Sequence, residues 1–236
     1  MCGVEAVKRF LRQSDAPLVK AARGTVLAPE SLRDATRART IHVMKTAAAL
    51  LAAGLSTRMK RNKLLLELNG EPLVRRSVQT LLESGFERVT VVTGREPAVI
   101  QAALEGLPCD FAFNPQFATA GMEASLRTAV LSLEPTVDAL LFTLADQVFV
   151  TSAMYRALLE GIGDAPIAAS RFGEVIAPPH LFARELFAVL GTPGNGAKPL
   201  IHKHLERVVF VDQPPEGLFD LDTPEDYAAA ALSSLV

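Results

Sequence analysis

Between residues 46 and 233, short apolar runs alternate with stretches whose apolar positions recur at helical spacing. "TAAALLAA", "RVTVVTG", "CDFAFNP", "DALLFTLAD" and "RVVFVDQ" have the length and apolar or β-branched content of buried strands. "EPLVRRSVQTLLESG", "PAVIQAALEGL", "MEASLRTAVLSL", "TSAMYRALLEGI" and "TPEDYAAAALSSL" carry the 3.6-residue pattern. Their boundaries carry stop and start signals: Gly85 as a C-cap, Thr151 or Ser152 as an N-cap, Pro224 at N1. "RELFAVL" and "KPLIHKHL" also read as helical, and "APIAASRFG" and "VIAPPHLF" flank a less regular region. Strand and helix alternating through short links predict an α/β fold, a doubly wound and mostly parallel Rossmann-like sheet. No internal repeat interrupts the pattern.

Residues 1–43 break it. They are polar, Arg-rich and weakly periodic, and are expected to form a poorly ordered N-terminal extension to a domain spanning 44–236.

A chain of 236 residues with 49% apolar content can bury one ordinary core. A net charge of −2 argues against a general nucleic-acid binder. No apolar run has the length of a membrane span, and the first residues lack a secretory apolar segment. Two cysteines, Cys2 and Cys109, are too few for a disulfide framework or a zinc cluster, which suits a reducing cytoplasm.

Ligands of doubly wound sheets bind beyond the carboxyl ends of the strands. Three stretches there carry chemistry. In "LLAAGLSTRMKRNKLLLELNG" the first strand gives way to Leu51-Ala52-Ala53-Gly54, followed by Ser56, Thr57, Arg58, Lys60, Arg61 and Lys63. Small residues let backbone N–H groups approach phosphate. Arg58 offers a fork for phosphate oxygens and Lys63 a point charge. The loop is neither a Walker A loop nor a G-x-G-x-x-G fingerprint, and its bland alternative is a solvated cationic surface. In "LLFTLADQVFV" a nearly uniform apolar strand ends at Asp146, where a carboxylate is costly without a cation or donor. In "LFDLDTPEDY", Asp220 and Asp222 straddle a strand end; here Asp222 or Thr223 could equally be a helix N-cap. Two strand-end carboxylates and a phosphate loop suit a magnesium nucleotide site.

Taken in order and spacing, "LAAGLSTRM…K", "FNPQFATAGMEASL", "LADQ" and "DLDTPEDY" resemble the molybdenum cofactor cytidylyltransferase group of small nucleotidyltransferases, relatives of the molybdopterin-guanine dinucleotide synthases. The resemblance runs from Lys45 to about Val236. It implies that Leu51, Ala52, Ala53, Gly54, Ser56, Asn114, Gly121 and Ser125 bind the nucleotide, that Arg58, Lys63 and Asp146 are catalytic, and that Asp146 and Asp222 hold Mg2+. It further implies CTP as donor, a phosphorylated acceptor such as molybdopterin, and a recipient molybdoenzyme or chaperone. Ala53, where guanylyltransferases usually carry glycine, narrows the base pocket toward a pyrimidine, and Gly121 and Ser125 offer polar groups to a cytosine edge. Alternatively, Ala53 packs under the loop and Ser125 faces the helix interior.

The acceptor half departs from the family pattern. Lys60 stands where a glycine is expected after Arg-Met. "APPH" (Ala177 to His180) and "PGNGAK" (Pro193 to Lys198) replace Gly-His-Pro-Val and Gly-Asp-x-Gly-Ala-Arg. Lys198 is either an acceptor-phosphate ligand or a surface cation. A GTP- or sugar-phosphate-specific transferase and a non-catalytic nucleotide-binding module remain the alternative functions. His202 and His204 are two apart on a helix and do not share a face, so no histidine catalytic set is expected.

Overall fold

A computed structural model describes residues 44–59 and 61–233. The expectation for residues 1–43, and the departure noted at Lys60, fall outside the described residues.

Seven strands form the main sheet: β1 (Thr46–Ala52), β4 (Arg88–Thr93), β5 (Asp110–Phe113), β6 (Ala139–Leu144), β7 (Ile167–Phe172), β8 (Val175–Ala183) and β9 (Val208–Asp212). β2 (Glu67–Leu68) and β3 (Glu71–Pro72) make a separate antiparallel pair. The sheet order is β5-β4-β1-β6-β8-β7-β9. β1 lies parallel to β4 and β6, and β8 runs antiparallel between β6 and β7. The less regular region between "APIAASRFG" and "VIAPPHLF" is therefore a hairpin, turning at Gly173 with φ +61°.

Seven α-helices lie among the described residues, the first six between strands and the last after β9: α1 (Leu73–Glu83), α2 (Pro97–Ala103), α3 (Met122–Leu131), α4 (Ser152–Gly161), α5 (Phe187–Leu190), α6 (Ala197–Lys203) and α7 (Pro224–Ser233). The two-residue alternation of β1 sorts its side chains between them. Ala48, Leu50 and Ala52 pack with Val74 and Val78 of α1, Ile100 of α2 and Leu158 of α4. Ala47, Ala49 and Leu51 pack on the other face with Leu126 of α3, Leu190 of α5 and Leu200 of α6. The alanines keep β1 thin, so helices cover both faces closely. A third cluster joins Met59, Leu66, Leu68 and Leu73 to Leu221 and Ala230, so α7 is packed onto the chain leaving β1. Tyr227 donates to the Glu67 carbonyl at 2.6 Å in the same contact.

Chain order reverses beside β1: β4 and β5 extend the sheet to one side, β6 to the other. The loops after β1 and β6 thus flank a topological switch point, the place where this architecture leaves a crevice. No helix among the described residues is long and apolar enough to cross a membrane.

Candidate active site

The crevice is a cleft of about 390 Å³. One end holds the charges. Lys63 Nζ donates to Asp146 Oδ2 at 2.7 Å and to Asp222 Oδ1 at 2.8 Å. Arg58 Nη2 donates to Asp222 Oδ2 at 2.8 Å. Local structure brings each group there. Ser56 adopts left-handed backbone (φ 51°), a strained choice for a non-glycine residue, and its Oγ accepts from the Lys63 N–H at 3.2 Å. Asn62 caps the turn Lys63–Leu65 through Oδ1, accepting from the Leu64 N–H at 3.2 Å. The Leu221 N–H donates to the Asp146 carbonyl at 3.0 Å, tying the two carboxylate-bearing loops together.

Asp222 is not a helix cap. Asp226 Oδ2 accepts from the N–H groups of Asp222 and Thr223 at 3.0 and 2.8 Å, and Thr223 Oγ1 accepts from the Asp226 N–H at 3.2 Å. That reciprocal pair satisfies the start of α7 and leaves the Asp222 carboxylate for the cations. Asp146 is likewise spared, since Thr151 caps α4 through Met154.

Lys63 is 8% exposed. Burial would lower its ammonium, but the carboxylates of Asp146 and Asp222 outweigh that and hold it above its ordinary value. The hydrogen bond from Lys63 holds the Asp222 carboxyl low. Partial desolvation, reinforced by the charges of Asp146 and Asp222, pushes Asp220 up to about 6.

The other end is small and apolar. Leu51, Ala53 and Gly54 from the end of β1 line it together with Phe117, Gly121 and Ser125. A Cβ at Gly54 would meet no atom within 4 Å, so that position opens onto free space. Ser125 is buried, as expected of a residue facing the helix interior, yet it also lines the cleft. Asn114 stands behind it: Nδ2 donates to Ser125 Oγ at 3.0 Å, and Oδ1 accepts from the Gln116 N–H at 2.9 Å. Asn114 does not line the cleft, and the Ala52 methyl packs in the core on the opposite face of β1. The remaining nucleotide and catalytic candidates, Leu51, Ala53, Gly54, Ser56, Arg58, Lys63, Gly121, Ser125, Asp146 and Asp222, converge on one cleft.

Of the acceptor-half segments, the loop before α6 lies against α3: a Cβ at Gly196 would stand 3.5 Å from Glu123 Cβ. Glu123 Oε1 in turn accepts from the Gly121 N–H at 3.2 Å. Lys198 is exposed near this edge. His180 is buried within the sheet. Burial and Asp110 push the Cys109 thiol up, away from a reactive thiolate. Phe117 and Leu221 belong to the site without having been singled out in the sequence. Phe117 had a signal, an aromatic inside the motif "NPQFATAG"; Leu221 acts through its backbone and had none.

The donor set suits a magnesium ion bound with a nucleotide. Two hard-oxygen carboxylates already converge on a single cation, the Lys63 ammonium. Among the described residues no three His, Cys, Asp or Glu side chains form a metal-holding group. Magnesium is typically held in this way, by one or two carboxylates with phosphates and water completing the shell.

Residues 48–208 match the family described as the MobA-like NTP transferase domain. Across 192 residues the chain is 32% identical to the purine catabolism protein PucB of Bacillus subtilis (strain 168), covering 75% of this chain and 91% of that protein. Over 83 residues, 35% of this chain and 40% of the relative, it is 41% identical to a probable molybdenum cofactor guanylyltransferase of Opitutus terrae. Among solved structures it is similar to a nucleotidyl transferase from Methanothermobacter, with a TM-score of 0.72, 25% identity, and coverage of 81% of this chain and 98% of that one.

Proposed function

The chain belongs to the MobA-like NTP transferase domain family and is a nucleotidyltransferase; from that premise we propose that it transfers CMP from CTP to a phosphorylated small-molecule acceptor of the molybdopterin kind, releasing pyrophosphate. The observation that carries the reading is the two-ended cleft. Arg58, Lys63, Asp146 and Asp222 are joined by ion pairs beyond β1 and β6, and Gly121 and Ser125 line the same cleft beyond β5, on the other side of β1. A nucleoside triphosphate has the same polarity, with a charged chain and a flat uncharged base.

In this reading Arg58 and Lys63 turn from the carboxylates to the triphosphate, which they bind and orient. Asp146 and Asp222 would hold the magnesium ion, which supplies charge neutralisation at the phosphates. A phosphate oxygen of the acceptor attacks the α-phosphorus, the bond to the bridging oxygen breaks, and pyrophosphate leaves. The nucleophile is already an anion, so no general base is required. Positioning and charge compensation supply the catalysis, which agrees with the burial of His180 and the raised Cys109 thiol.

Two features favour CTP. Ala53 lines the cleft where a glycine would leave more room, and Ser125 lines it as well. The four motifs and the Opitutus relative support a molybdenum cofactor acceptor; that relative's name equally supports GTP as the second choice of donor. A cytoplasmic setting with a recipient molybdoenzyme or chaperone follows from the same reading. Pyrophosphate release, measured with CTP, GTP and UTP against molybdopterin and sugar phosphates, is the test. CTP should exceed GTP by about tenfold in kcat/KM, equivalent to ~1.4 kcal/mol. Equal or faster turnover of GTP would reject the cytidylyl assignment, and turnover of sugar phosphates alone would reject the acceptor.

A further inference from the structure

The apolar end of the cleft has an aromatic wall that the phosphate chemistry does not explain. Phe117 is half-buried and lines the cleft together with Ala53 and Gly54. It comes this close because the residue beneath it has no side chain. A Cβ on Gly94, just beyond β4, would stand 2.5 Å from Phe117 Cβ, 2.7 Å from its Cγ and 2.9 Å from the Ala53 carbonyl oxygen. The turn carrying the ring is pinned by buried Asn114, which accepts from the Gln116 N–H and donates to Ser125 on α3. The Phe117 N–H also donates to the Asn114 carbonyl at 3.3 Å. Outside the cleft, the Phe113 ring leans on Phe117 with centroids 6.4 Å apart. The ring is therefore held on three sides, and it follows β5, on the other side of β1 in the sheet from Asp146 after β6.

A held ring beside a slot of small residues suits a flat aromatic ligand, which stacks by its π face. Stacking contributes to binding without reading base identity, because every base has such a face. Resting on the nucleotidyltransferase reading of this cleft, we propose that Phe117 is the platform for the nucleobase. It supplies affinity for base-bearing ligands, while the choice between bases lies with groups at the base edge such as Ser125 and Gly121.

The sequence contains no tryptophan, so Phe117→Trp introduces a single fluorophore at the platform. Titrated with magnesium present, CTP and GTP should both quench it and inorganic tripolyphosphate should not. In calorimetry, Phe117→Ala should weaken CTP and GTP alike by about tenfold and leave tripolyphosphate binding intact. Phe117→Tyr should restore both nucleotides. Unchanged nucleotide affinity in Phe117→Ala overturns the proposal, as does a loss confined to one base. An equal loss of tripolyphosphate binding also overturns it, by showing a general structural role. A wild-type protein that binds none of the three ligands instead removes the nucleotide reading of the cleft, and the platform with it.

Discussion

Lys63 and Asp146 are 83 positions apart in sequence, yet the ammonium of one lies 2.7 Å from the carboxylate of the other. The same ammonium reaches Asp222 at 2.8 Å. A lysine thus occupies the meeting point of two carboxylates that a divalent ion would need. Ammonium and metal compete for that point until a phosphate draws the ammonium away, so metal and nucleotide should bind more tightly together than apart. Lys63→Met removes the competitor. Nucleotide-free Lys63→Met should bind Mn2+ about tenfold more tightly than the wild type, ~1.4 kcal/mol, while losing turnover. Electron paramagnetic resonance of free Mn2+ reads this directly. Weaker Mn2+ binding in the variant would show that these carboxylates are not the metal site.

Asp222 and Asp220 are separable by the same geometry. Asp222 reaches Lys63 and Arg58, and Asp220 does not line the cleft. Asp146→Asn and Asp222→Asn should each lower kcat by about a hundredfold or more, since a lost ligand removes several kcal/mol of charge neutralisation. Asp220→Asn should lower it far less. Unfolding midpoints should move little in Asp146→Asn and Asp222→Asn, because both carboxylates are partly exposed and either variant leaves Lys63 its other partner. A larger loss in Asp220→Asn than in Asp222→Asn would reverse the assignment.

How much of this was legible beforehand depended on range. The apolar runs of β1 and β6 and the small, cationic loop between Leu51 and Lys63 are local signals, and both the sheet and the charged end of the cleft follow from them. The choice between Asp222 as cap and as ligand was open in sequence because both roles suit a carboxylate before Thr-Pro. The cap role drops out only when Asp226 is seen to take the capping bonds, which leaves the Asp222 carboxylate paired with Lys63 and Arg58. The antiparallel insertion of β8 between β6 and β7 depends on non-local pairing that a one-dimensional pattern does not encode. The platform role of Phe117 was equally hidden. It depends on a missing Cβ at Gly94, 23 positions earlier by residue number, and a glycine after a strand ordinarily reads as a turn.

Gly94 itself gives a prediction that needs no ligand. Its neighbours include the Ala53 carbonyl at 2.9 Å from an added Cβ, and backbone yields less readily than a flexible side chain. Gly94→Ala should therefore destabilise the fold by about 1–3 kcal/mol, the usual cost of overpacking. It should also push Phe117 toward the cleft and weaken nucleotide binding. Urea unfolding checks the first part. A variant as stable as the wild type would mean that the turn at Phe117 moves aside freely.

His180 supplies a pH dependence remote from the cleft. Its ring lies buried in β8, edge-on to Phe142 and Phe182 at centroid distances of 5.4 and 6.3 Å, and its Nδ1 has no partner among the described residues. Burial lowers its pKa to about 3, from an ordinary value of 6.5. Between those values the unfolded chain binds the proton and the folded chain does not. The stability is fully present above pH 6.5 and is lost progressively as pH falls toward 3. At pH 5 the loss from this residue should be about 2 kcal/mol, one and a half pH units at ~1.36 kcal/mol each. His180→Leu discards both the titrating group and the orphaned nitrogen. At pH 7 it should lie within about 1.5 kcal/mol of the wild type, because a ring of similar size is replaced by an apolar side chain. Between pH 7 and pH 5 the variant should then gain about 2 kcal/mol relative to the wild type. Urea unfolding of both proteins at the two pH values measures that difference, and a difference that stays constant with pH would show that His180 takes up its proton in the folded sheet.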